Sequence, residues 1–148
     1  MSDGQGQNAS AFLSAFPGRW TLSRSIDDRL TQQTGRFEGE AAFTPDGEVL
    51  IYDERGLLSL GDSPAIVATR RYLWCPDGDR IAVFFADGRP FHSFVPGIPE
   101  AQHRCDPDRY RVTYDFARWP DWTATWDVRG PRKDYRMTSR YRPAGRPR

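Results

Sequence analysis

The chain has 148 residues, 21 basic and 20 acidic side chains, and a net charge near +1. That length is one domain with enough chain for its own core, and the balanced charge excludes a global field that would recruit nucleic acid or an anionic membrane. No apolar run approaches the roughly 20 residues of a membrane helix, the start lacks the basic and apolar regions of a secretory signal, and Cys75 and Cys105 are too few for a disulfide framework, so a cytoplasmic protein is expected.

Residues 1–10 are small and polar and are expected to be flexible, as is the tail 143–148; one domain fills 11–142. NASAFLSAF (8–16) predicts a short helical turn, capped by Asn8 or Ser10 and ended by Pro17-Gly18. From there the apolar period is two. GRWTLSRSI (18–26), RFEGEAAF (36–43), EVLIYDE (48–54) and IVATRRYLW (66–74) read as strands. RIAVFF (80–85) and RPFHSF (89–94) form a pair joined at Ala86-Asp87-Gly88. A loop with Pro96, Gly97 and Pro99 follows, with His103 and Cys105 in it. DRYRVTYDF (108–116), WTATWDVR (122–129) and KDYRMTSRY (133–141) complete the set. Eight or nine strands with short turns and no helix for crossovers predict an all-β fold, a closed antiparallel up-and-down barrel.

Gly18-Arg19-Trp20 resembles the G-x-W that opens the first strand of lipocalins and other calycins. The resemblance implies a barrel whose first-strand Trp lies at the closed end under a late arginine, here Arg140 or Arg142. A fuller pattern is similar to a family of uncharacterised bacterial calycin-like domains. It comprises Trp20-Thr21-Leu22-Ser23-Arg24-Ser25-Ile26, Arg70-Arg71-Tyr72-Leu73-Trp74, Phe91-His92, the H-x-C-x-x-D-x-Y of residues 103–110, and Gly130-Pro131-Arg132-Lys133-Asp134-Tyr135. It spans residues 16–142 and implies a fold but no activity.

In a barrel one face of each strand points inside. If Trp20 points in, so do Leu22, Arg24 and Ile26. A two-residue turn at Asp87-Gly88 pairs Phe85 with Pro90, Val83 with His92 and Ile81 with Phe94. A turn at 129–132 pairs Val128 with Lys133, Trp126 with Tyr135 and Ala124 with Met137. The candidate inner set is Arg24, Tyr52, Arg70, Tyr72, His92, Tyr114, Trp126, Lys133 and Tyr135. Aromatic walls with a few donors suit a small molecule, and cationic heads without matching inner acids suit an anionic one; the other reading of Arg24 and Arg70 is as structural partners of Glu54 or of a backbone carbonyl. Lys133 is the only lysine beside twenty arginines. A narrow inner site favours a compact ammonium over a wide guanidinium, and Lys133 is expected to bind the anionic group with Arg24 and Tyr135 nearby. Burial would lower its pKa unless an acid pairs with it.

The composition therefore points to an intracellular barrel that binds an anionic, partly apolar small molecule, without nucleic acid or membrane partners and without a resident cofactor. Two alternatives stay open. One is acid–base catalysis in the cavity by His92 or Lys133; the other is haem held by His92 or His103. His103 and Cys105 alone do not make a metal site. Oligomeric state is not legible.

Overall fold

The structure, a computed structural model, describes residues 9–98 and 100–145. Asn8, Pro99 and most of the two segments expected to be flexible lie outside them. Residues 9–13 make the helical turn. It is held by its apolar side: Ala9, Leu13 and Phe16 are buried.

Ten strands follow: β1 (Gly18–Asp28), β2 (Gln33–Asp46), β3 (Val49–Leu60), β4 (Ile66–Asp77), β5 (Arg80–Phe85), β6 (Pro90–Phe94), β7 (Glu100–Cys105), β8 (Asp108–Asp115), β9 (Trp122–Gly130) and β10 (Lys133–Pro143). The strand count exceeds the sequence expectation by β7, which carries His103 and Cys105 and is not a loop. Its sequence, EAQHRC, buries only Ala101. It is a strand because a two-residue connection at Asp106-Pro107 folds it back onto β8, not because of its own apolar pattern.

The strands form one antiparallel meander in the order β6-β5-β4-β3-β2-β1-β10-β9-β8-β7. The barrel is nearly closed. β6 and β7 form no ladder with each other, and the turn that joins them holds an isolated bridge, Val95 to Ile98. Aromatic side chains seal this seam. Phe94 meets Tyr114 at 4.4 Å between ring centroids, and Phe91 meets His103 at 5.2 Å.

The helical turn plugs one end. The Phe16 ring packs among Trp20, Phe43, Trp74 and Trp122. Such rings bury large area and gain further from tilted and edge contacts. Trp20 is buried as expected and its Nε1 donates to the Phe16 carbonyl at 3.0 Å. Its cover is different from that implied by the calycin resemblance. Tyr141 takes the inward position of β10, stacked on Trp122 at 3.8 Å, so Arg140 and Arg142 on either side of it point outward and are exposed. Trp119 and Trp122 lie against Trp20 instead.

Two hairpin registers differ from expectation in instructive ways. Val83 pairs with His92 and Ile81 with Phe94, but an irregularity between Val83 and Phe84 sets Pro90 opposite Phe84, not Phe85. At the last hairpin the turn is two residues, so Lys133 faces Gly130, Tyr135 faces Val128 and Met137 faces Trp126. That is a slip of two from the expected register, and an even slip leaves every side chain on its face.

Candidate functional site

The nine residues of the expected inner set line two adjoining cavities. One is a small compartment of about 30 Å³ deep in the barrel. The other is a chamber of about 600 Å³ at the open end. Arg70, Tyr72, Phe91, Trp126 and Met137 border both.

The deep compartment takes Arg24 from β1, Tyr52 and Glu54 from β3, His92 from β6, Tyr114 from β8 and Tyr141 from β10. Arg24 is not a free anchor there. Its Nη1 and Nη2 donate to the two oxygens of Glu54 at 2.8 and 2.9 Å, and its Nε donates to Ser139 Oγ at 2.6 Å. Tyr52 Oη donates to Glu54 Oε1 at 2.5 Å. Its one proton is then used, so Tyr141 Oη donates to Tyr52 Oη across 2.8 Å. The expectation of inner cations without inner acids is thus corrected: Glu54 faces in, as parity with Tyr52 requires. Burial alone would raise the Glu54 carboxyl. The bonds from Arg24 and Tyr52 overcome it and hold the group below the ordinary glutamate value.

His92 lies 8 % exposed between Phe91 and Trp126. Its Nε2 shares a proton with Tyr114 Oη at 3.0 Å, and its Nδ1 has no partner among the described residues. Burial, aided by the nearby His103, pushes its pKa down to about 3. The imidazole is neutral near pH 7.

The chamber is walled by a stack of Phe85, Phe91 and Trp126, at 4.4 and 5.1 Å between successive rings. The two motifs that the sequence presented separately meet at its mouth. His103 and Cys105 of β7, Tyr110 of β8, and Lys133 and Tyr135 of β10 all line it. Lys133 Nζ donates to Tyr110 Oη at 2.9 Å and pairs with Asp108 at 3.2 Å. The Asp108 carboxylate lies against the Cα of Gly130, where any side chain would collide with it. Glycine at 130 therefore admits Asp108, and Asp108 holds the lysine. The hydrogen bond to Tyr110 and the Asp108 charge outweigh burial and raise the Lys133 pKa, so the ammonium stays charged. The lowered value considered from burial alone does not arise, because the side chain is 42 % exposed and both Tyr110 and Asp108 favour its charged form. Arg24, expected beside Lys133, lines the deep compartment and not the chamber.

Among the chamber's cations Arg70 is the one without an ion pair to a described residue, although it lies across the ladder from Glu54, whose charge favours its cationic form. Its Nη1 reaches Tyr72 Oη at 3.3 Å. The chamber lining holds Arg70, Arg89, Arg104 and Lys133 and no carboxylate. Among the described residues no group of three or more His, Cys, Asp or Glu could hold a metal ion, and no helix is long and apolar enough to cross a membrane.

The inner set expected from the sequence names residues on β1, β3, β4, β6, β8, β9 and β10 that line the two cavities. It missed Asp108 and Tyr110, which follow a strand without an apolar pattern, and Phe91, whose place depends on the irregularity in β5.

The solved structure of the S-type phycobiliprotein lyase CPES from Guillardia theta is similar to this chain, with a TM-score of 0.63 over 95 % of this chain and 94 % of that one. The identity is 11 %, so the likeness is one of barrel fold. No curated protein sequence matches. A family model matches residues 16–143, nearly the whole barrel, and the chain belongs to that family, described as a family of unknown function, DUF6314.

Proposed function

We propose that the barrel binds a small, anionic, partly apolar molecule in the chamber at its open end. The observation that carries this reading is a chamber of about 600 Å³ lined by stacked aromatic rings and four cationic side chains, of which Arg89, Arg104 and Lys133 are paired with Asp87, Asp106 and Asp108 outside the lining while Arg70 makes no ion pair with a described residue. That volume falls within the range of small-molecule sites. Arg70 supplies the guanidinium, suited to a bidentate grip on a carboxylate or phosphate. Lys133 spends two of its three protons on Tyr110 and Asp108 and directs the third to the ligand. Similarity in fold to a lyase that handles phycobiliproteins is consistent with a barrel that takes a small molecule, and contributes nothing on which one.

The test uses anilinonaphthalene sulfonate, an anion with a fused aromatic body, and its uncharged analogue phenylnaphthylamine. The sulfonate is expected to bind with enhanced fluorescence and to outcompete the neutral dye. Arg70→Met should weaken the sulfonate about tenfold, equivalent to about 1.4 kcal/mol, and Lys133→Met by less, with unchanged thermal midpoints. Lys133→Arg should not restore binding, because the wider fork displaces Asp108 or Tyr110. Equal binding of both dyes by all variants would refute an anionic ligand. A Soret band on adding hemin that disappears in His103→Ala would replace this reading with a haem barrel.

A further inference from the structure

β4 outruns the strand beside it. β3 pairs with it over Ile66–Trp74, but β5 takes up only Tyr72–Asp77, leaving Ile66–Arg71 without a backbone partner on that side among the described residues. A six-residue row of N–H and C=O groups thus faces outward, a ready template for another strand. The row carries an apolar end. Ile66 is 59 % exposed, Val67 56 %, and Leu57, opposite Val67 on β3, 52 %. Exposed apolar residues gathered on one feature mark interaction surfaces. Nor is the edge guarded by its arginines. Arg71 is tied to Asp53 on β3, and Arg70 lines the chamber. Ile66 pairs with Leu58 and shares the inner face of β4 with Arg70. An inward residue this exposed means that the barrel wall beside it is missing.

We infer that this edge pairs antiparallel with the same edge of a second copy of the chain, and that the second β4 supplies the missing stretch of wall. The residues fit a two-fold axis through Ala68. A continuous sheet requires opposed residues to share a face, so the sum of paired numbers is even. With Ala68 opposite its own copy, Val67 meets Thr69 of the other chain and Ile66 meets Arg70. The smallest residue sits at the axis, β-branched side chains oppose each other, and no like charges do, which is the favourable pattern for cross-strand pairs. The Arg70 stem lies along Ile66 while its guanidinium stays at the chamber. So short a contact is small beside the roughly 1,200–2,000 Å² of a stable interface, and the dimer is weak and reversible. The consequence for the chamber rests on the binding reading above; the pairing does not.

Sedimentation equilibrium from about 10 µM to about 1 mM, a range in which small interfaces dissociate, tests it. The apparent mass is expected to rise from one chain toward two. Val67 and Thr69 are exposed on the outer face, so changes there leave the fold intact by circular dichroism. The double change Val67→Lys with Thr69→Lys sets lysine against lysine twice and should hold the protein monomeric. Val67→Lys with Thr69→Glu sets lysine against glutamate in the same register and should restore the dimer. A wild type that stays monomeric, or two double variants that behave alike, would overturn the proposal. Dye binding is measured in dilute, monomeric protein, so its failure would strike the ligand reading alone.

Discussion

Replacing Arg24 with Met is expected to destabilise the barrel by about 3–5 kcal/mol, the cost of breaking a buried ion pair from one side. Three bonds go, two to Glu54 and one to Ser139. The larger loss is what remains: a carboxylate 5 % exposed, with Tyr52 as its one remaining donor. The group responds by taking up a proton, so the variant should lose stability at neutral pH and less at acid pH. In the wild type the sign is opposite. Glu54 has a folded pKa below its unfolded one, so its contribution is present above about pH 4.3 and fades as pH falls through the folded value. Converting both residues, Arg24→Met with Glu54→Met, should recover most of the loss, since well-packed apolar pairs often match buried ion pairs in stability. Urea unfolding of these three proteins and of Glu54→Met alone gives the coupling directly. A double variant as unstable as the single one would mean that the pair organises the fold around it and is not merely a local contact.

The second large effect is a pH dependence carried by one histidine. The His92 pKa falls from its ordinary 6.5 to about 3 on folding. Between those values the unfolded chain binds a proton that the folded chain refuses, so stability drops as pH falls through that window and is fully present above it. The slope approaches about 1.4 kcal/mol per pH unit. Between pH 6.5 and 5 few carboxylates titrate, and His103 is the one other histidine. His92→Gln keeps a partner for Tyr114 and should flatten the profile there. Unchanged slopes in His92→Gln would show that His92 is hydrated in the native protein.

Much of this architecture could be read before any coordinates. Period-two alternation is written by burial itself, so strands with one wet and one dry face announce themselves. β7 does not, because it buries one residue at the rim and owes its shape to the strand it folds onto. Lys133 and Tyr135 were placed inward despite a wrong turn length, because an even slip preserves parity. Glu54 was legible as a partner for Arg24 or Arg70, but not which of the two it would bind. Alternation puts it on the face of Tyr52 with Arg24 thirty residues away and Arg70 across the ladder, and only the folded register shows that Arg24 takes both oxygens. Arg140 and Arg142 mark the opposite failure. A pattern borrowed from similar barrels placed an arginine over Trp20, where this chain spends the inward position on Tyr141.

The seam between β6 and β7 has a topological consequence. Every ladder except β1 with β10 joins neighbours in sequence, and that ladder brings Trp20 opposite Pro143, with the Ala144 amide on the Arg19 carbonyl. The chain is thus a plain ten-strand zigzag whose start has been moved to its middle. Joining the native ends by a short linker and cutting after Ile98 would give a circular permutant beginning at β7 and ending at β6. It would keep every ladder and the Val95–Ile98 bridge, and break the covalent path beneath the Glu100 amide's bond to the Ile98 carbonyl. In that rearranged chain all strand contacts would be local, and the ring-sealed seam would be its pair of ends.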